Sequence, residues 1–565
     1  MDPFDSSSVE STSDFIPDEP GPDFSSHPVG YLVHYMRLFY QHQGDWEPKR
    51  AEELNQCLFL VRNYKDQVSV SELETILRSA RTWQLFEHFT HNSFNLITHF
   101  MELLKLHCES YLLFRYHGFL CFQLLTSVIL AGVIKGCNTL ERVFNYIQTK
   151  SNGKADIAYH VADLAASLLE RGTMVHPQHH EEVFSSYFVA SHLEGDYVLL
   201  PELGGFRKED AVWLLGELWE DRKSFLQFSG SGLSSMMHGW SVVFAAMWRH
   251  IEKLQDSPEL LKKLRNLLLR YALSAFNPEF KLVCNIVLLI EDQAPSTTTG
   301  YEELPPVDTD DADLILRLFM EYLNTEKRDI GPPPGDMMAF PFAMVYRTTL
   351  NTLPNQVPYF LVAVVERVWK MLGSTAPTLT LRERIVDSYE YGLNAIMSMC
   401  SALIFGDDIE PSLDAVSAWT KLLQEVNILE LIGRLCSVAV VSSNSSASGF
   451  LISQDWFEMF TKYTPKFMEC LKNVAQIDEL GQLNDLCRTW ETVLRHISLQ
   501  LSFHPAGSPI QYRIYMCRSI WLNIHFLTRE PNIYASDAVG YTTALSVVNR
   551  CIGIQLLLVH IAANV

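Results

Sequence analysis

The sequence predicts an all-α protein: an irregular helical-repeat body of the HEAT- or armadillo-like α-solenoid kind, or a large multi-helix array, preceded by a disordered acidic tail. Three observations carry that expectation. Apolar residues recur at three- and four-residue spacings through most of the chain. Helix-start signals punctuate those runs. Strand-like exceptions are short, at Tyr197–Leu200 and, ambiguously, Val283–Ile290.

Taken in order, residues 1–28 are rich in Ser, Asp and Pro, with seven acids and no Lys or Arg. That composition cannot bury a core and predicts disorder. Ser7 and Ser11 each precede an acid by three positions, a pattern acidophilic kinases accept.

Residues 29–292 read as helix after helix. Ser71-Glu72-Leu73-Glu74 has the form of a capping box, in which Ser71 meets the Glu74 amide and the Glu74 side chain reaches back. Ser257-Pro258 and Asn277-Pro278 each place a capping side chain before a proline that suits the first helical turn. Leu260, Leu264, Leu267 and Tyr271 then form a helical stripe, with Lys262, Lys263 and Arg265 between them.

Residues 293–341 change character, carrying Pro-rich breaks at Pro305-Pro306 and Pro332–Pro334 and one helix between them. They are expected to link two helical halves. Helices resume over 342–565, interrupted by the Ser442–Gly449 loop. Leu480, Leu483, Cys487, Trp490, Leu494, Ile497 and Leu501 form an apolar stripe there, and a last helix is expected over Ser536–Ile561. No fixed period near 34 to 45 residues repeats, so a repeat body would be an irregular one.

The most continuous apolar run, Leu112–Ile134, poses a choice between a buried central helix and a membrane anchor. Its unbroken part, Phe119–Ile134, spans about 24 Å as a helix, short of the about 30 Å of a hydrocarbon core. Arg115 and His117 interrupt the longer version, which favours a core helix. Gln123, Thr126 and Ser127 share one face and are expected to hydrogen-bond to a neighbouring helix.

The chain has 565 residues, too many for one globular core. It is 48% hydrophobic and 12% aromatic, with a net charge of −22 and a mean hydropathy of +0.04. With the tail's seven acids set aside, −15 remains on the body. No Lys/Arg cluster offsets that charge, which argues against nucleic-acid backbones and anionic membrane surfaces. Eleven cysteines without a Cys-x-x-Cys pair, and an N-terminus with no secretory pattern, predict a cytoplasmic or nuclear protein with reduced thiols.

His176, His179, His180, Glu181 and Glu182 form the densest group of ligand-type residues. Zinc needs such groups to converge. His176 and His180 are four apart, but Pro177 is expected to open the helix and leave His176 outside it. The stretch therefore reads as an interhelical turn, and His176, His179, His180 and Glu182 stand only as weak metal candidates. His88, His91, His99 and His107 lie along one helical region, too far apart to share an ion. Gly230-Ser231-Gly232 lacks the preceding strand and third glycine of a dinucleotide fingerprint.

No spacing assembles a catalytic set, and no cofactor is expected. The function expected is therefore a non-enzymatic scaffold, receiving a partner's helix or extended segment on a helical surface. The alternatives are a membrane-associated protein anchored through 112–134, and an all-α enzyme.

Overall fold

A computed structural model describes most of residues 48–373, omitting 108–111, 114, 137–138, 142, 146–156, 175–204, 231–237, 252–257, 276, 293–305, 325–343, 346–347, 350–351 and 354–355. Beyond 373 it describes residues 431, 492–495, 498–499, 514 and 518, all helical. The chain divides into two compact units, Met1–Tyr391 and Gly392–Val565.

Among the described residues of the first unit there is no strand. The helices are α1 (Pro48–Asn63), α2 (Val70–Ala80), α3 (Trp83–His107), α4 (Tyr116–Gly136), α5 (Ile157–Met174) and α6 (Lys208–Glu220). They continue with α7 (Arg222–Gly230), α8 (Trp240–Ile251), α9 (Pro258–Ala272), α10 (Asn277–Asp292), α11 (Thr309–Asn324) and α12 (Val357–Gly373). Val283–Ile290 is thus helical, its β-branched residues buried in α10.

Two helices form the centre because they are apolar on nearly every side. α4 is surrounded by α2, α3, α5 and α8, and α8 packs against α4, α5, α6, α9 and α10. Around the start of α8 the Trp240 ring meets Phe122 edge-on at 4.9 Å and lies 5.1 Å from Phe225. It also stacks on Tyr271 at 6.2 Å. Each pair adds ring geometry to the area it buries. Of the helices around them, α2 buries a stripe of Val70, Leu73, Ile76, Leu77 and Ala80, whereas α9 is buried on every side from Leu264 to Ala272.

The capping signal at the start of α2 lies two residues before the expected box. Ser69 is the N-cap, its N–H donates to Glu72 Oε2 at 2.6 Å, and its hydroxyl bonds the same oxygen. Glu74 is not a cap. It is buried and accepts the Tyr116 hydroxyl hydrogen bond at 2.9 Å, which ties α2 to α4.

The run at 112–134 also differs in two respects from expectation. The helix starts at Tyr116. Leu113 sits in a buried turn and gives its N–H to the Asp221 carboxylate, so Leu112, Leu113 and Arg115 lie outside the helix. The polar face does not bond across to a neighbour: Thr126 Oγ1 donates to the Phe122 carbonyl and Ser127 Oγ to the Gln123 carbonyl, both at 2.9 Å within α4. Hydroxyls one turn from a carbonyl take that local partner first. Gln123 Nε2 is buried with no hydrogen-bond partner.

α4 is the one helix among the described residues that is long and apolar enough to cross a membrane. Its apolar window is 89% buried inside the protein.

α9 and α11 are joined by a buried ion pair. Arg270 donates to both oxygens of Asp311, at 2.7 and 2.8 Å, with both side chains essentially inaccessible. Asn266 accepts from Arg270 Nε at 2.8 Å, and the Val307 N–H donates to Asp311 at 2.8 Å. Those extra bonds are what a buried pair needs to offset desolvation.

Candidate functional site

The densest group of acid, base and hydroxyl side chains in the described structure centres on Glu279. It lies in the first turn of α10, just after Pro278, and is buried against the N-terminus of α8. The chain enters α8 through Gly239 at φ +92, a left-handed conformation that favours glycine. A Cβ there would lie 2.5 Å from Leu130 Cδ1, so α4 leaves no room for a side chain. The close approach brings the open N–H groups of α8 onto the carboxylate.

Glu279 Oε1 accepts the Gly239 N–H at 2.9 Å. Oε2 accepts the Ser241 hydroxyl at 2.8 Å, the Ser241 N–H at 3.3 Å and the Tyr271 hydroxyl at 2.7 Å. His238 Nδ1 stands 3.7 Å from Oε1. A carboxylate facing a helix N-terminus is stabilised by the unpaired N–H groups and the helix dipole.

Burial pushes the Glu279 carboxyl up. The contacts from His238, Tyr271 and Gly239 outweigh that, so it titrates below the ordinary glutamate range. Tyr271 is driven well above the usual tyrosine value, first by burial and then by the adjacent Glu279 charge. α5 packs against α10 and brings Asp163 to the edge of the group. Burial, reinforced by Glu279, raises the Asp163 carboxyl, against the opposing pull of His160 and His238. The Tyr159 ring meets the His238 ring edge-on at 4.7 Å.

The residue types are those of nucleophilic or acid–base catalysis, but their arrangement is that of a cap. Ser241 is fully buried, and its hydroxyl is one of four donors whose hydrogen bonds Glu279 accepts. An ionised carboxylate offers about four lone-pair sites on its two oxygens. Three of those bonds fall on Oε2 and one on Oε1, so the fold holds Glu279 as the cap of α8.

The expected metal candidates His176, His179, His180, Glu181 and Glu182 lie outside the described residues. So do Tyr197–Leu200, residues 1–28, the Ser442–Gly449 loop, the Ser536–Ile561 helix and most of the Leu480–Leu501 stripe. Among the described residues, no group of three His, Cys, Asp or Glu side chains is placed to hold a metal ion. His88, His91, His99 and His107 are distributed along α3. Cys57, Cys121 and Cys284 are buried and outside any disulfide.

A histidine pair escaped the sequence. His107, at the end of α3, lies with its ring centroid 4.3 Å from that of His117 on α4. Their Nε2 atoms face the backbone carbonyls of Lys65, which opens the 3₁₀ turn Lys65–Gln67, and of Val68, which follows it. Burial and then His107 lower His117 to about 4. The only sequence signal for this contact was that His117 and His107 flank the turn between two helices.

No family model matches the chain, and neither a curated protein nor a solved structure matches it.

Proposed function

We propose that the chain is a non-catalytic interaction body, whose helical surface receives a helix or extended segment of partner proteins inside the cell. The observation that supports this reading over an enzyme is the state of Glu279. The most reaction-like group among the described residues is committed to holding α8, α9 and α10 together. A carboxylate held by four hydrogen bonds within the fold supports a structural reading of this group.

Of the two all-helical forms expected, the multi-helix array has the firmer support. In a solenoid each helical pair touches its neighbours in sequence. α8 instead contacts α4 and α5 as well as α6, α9 and α10, and α5 rests mainly on α10. The membrane-anchor reading has less support, because the one helix apolar enough to serve is 89% buried within the protein.

Cross-linking followed by affinity purification from native cells tests the proposal. Stoichiometric recovery of defined partners is expected. Turnover of a small substrate that Ser241→Ala abolishes, in a protein that keeps its helical spectrum, would replace it with an enzyme. Retention in the membrane pellet after alkaline extraction would replace it with the anchored form.

A further inference from the structure

His107 and His117 come from different helices, α3 and α4, and both reach the turn that joins α1 to α2. His107 Nε2 lies 3.2 Å from the Lys65 carbonyl, and His117 Nε2 lies 3.4 Å from the Val68 carbonyl. A carbonyl only accepts, so each ring carries a proton on Nε2. His117 Nδ1 faces the Cys121 thiol at 3.6 Å, one turn further along α4. A thiol is a weak donor, which makes that Nδ1 the acceptor and His117 a neutral imidazole.

A second proton on His117 would undo this arrangement. The new N–H would replace the acceptor that Cys121 uses, and a cation would form with its ring centroid 4.3 Å from that of His107. Among the described residues, neither ring has a carboxylate within ion-pairing distance to offset it. The acids on the surrounding elements are engaged elsewhere. Glu102 of α3 meets Lys65 Nζ at 3.0 Å and His99 Nδ1 at 3.6 Å, and Asp210 meets Lys105. In α2, Glu72 accepts from Ser69 and Glu74 from Tyr116. Asp66 is exposed in the turn, Arg115 is exposed before α4, and Arg62 at the end of α1 acts on His99.

We propose that the His107–His117 contact is an acid-sensitive latch. It holds the turn between α1 and α2 onto α3 and α4 at neutral pH, and lets go as His117 takes up a proton.

The direction of the response follows from the same contacts. Burial first, and then the His107 ring, hold His117 down from the usual 6.5 to about 4. A neutral ring is the one that fits, so the closed turn is fully favoured above the ordinary value. That preference is lost as pH falls from there towards the folded value.

The test is amide hydrogen exchange of the full chain between pH 7 and pH 5, with each rate divided by the intrinsic rate at that pH. The Val68 N–H donates to the Lys65 carbonyl within the turn, and the Leu73 N–H donates to Ser69 just beyond it. Protection at both is expected to fall about twenty-fold over that range, the bias that release of His117 to its ordinary titration produces. The Leu268 amide, buried in α9, is expected to keep its protection. His117→Gln retains an N–H for the Val68 carbonyl and does not titrate, so its protection at Val68 is expected to be level with pH. A level response at Val68 in the unaltered chain overturns the proposal. So does an equal fall at Leu268, which would be general loosening in acid. A His117→Gln chain that still loses protection at Val68 also overturns it, by placing the acid-sensitive group elsewhere. The comparison of Val68 with Leu268 uses the unaltered chain, and decides the matter even where the variant fails to fold.

Discussion

Arg270 and Asp311 meet through two parallel hydrogen bonds, 2.7 and 2.8 Å long, with no solvent at either side chain. The pair joins α9 to the first turn of α11, which also rests on α7. Lys223 reinforces the junction from outside by binding Asp308 and Asp310. Asp308 titrates below the usual aspartate range because of its hydrogen bond from Lys223.

Removing one member of that pair leaves the other charge buried alone. Asp311→Ala is expected to lower the unfolding free energy by about 3–5 kcal/mol, whereas the double replacement Arg270→Met with Asp311→Leu loses much less. Denaturant titration of the full chain measures both. Equal losses in the single and double variants would show that shape, and not the stranded charge, governs the site.

Gly239→Ala combines a left-handed backbone angle with a clash against Leu130. It is expected to cost about 2–4 kcal/mol. Adding Leu130→Ala removes the closest contact but not the backbone strain. A double-mutant cycle should therefore show coupling of about 1 kcal/mol, and strict additivity would mean that α4 gives way without resistance.

The two neighbouring carboxyls respond to pH with opposite signs. Glu279 titrates below its unfolded value, so its contribution is present above that value and disappears as pH falls through the folded one. Glu279→Gln should flatten the acid side of a melting-temperature profile. Asp163 titrates above its unfolded value, so its contribution is present at low pH and lost as pH rises through the folded one. Asp163→Asn should accordingly raise the melting temperature at neutral pH and matter little in acid. A fall at neutral pH would show that the Asp163 charge is itself needed.

Gln123→Leu tests the interior of α4. Had its amide bonded across to a neighbour, the replacement would strand a partner. Its Nε2 has none, so the variant is expected to be neutral or more stable by about 1 kcal/mol. Thermal unfolding checks the sign, and a loss above about 1 kcal/mol would point to a bond made through ordered water.

Much of the local structure was legible. Leu264, Leu267 and Tyr271 reach the core as their spacing implies, and Pro258 opens α9. The capping box slipped by two residues, because Ser69 and Ser71 are equivalent locally and the burial of Val70 and Glu74 decides between them. The polar face of α4 misled for a related reason. Sequence places three polar residues on one face, but whether a hydroxyl bonds outward or to its own helix depends on what the facing helix offers. Glu279 passed as an ordinary acid in a first helical turn.

The sequence by itself determined that these segments are helical, because apolar periodicity and capping act within a few residues. It also determined that α4 and α8 are apolar enough to lie at a centre. Only the tertiary structure decided that Glu279 caps a helix beginning 39 residues earlier, at Trp240, and that Arg270 finds Asp311. It alone decided that Arg222 and Lys263 both approach the Trp219 ring. Coulombic and hydrogen-bond partners are chosen by distance in space, and helix packing sets those distances between residues that no local pattern connects.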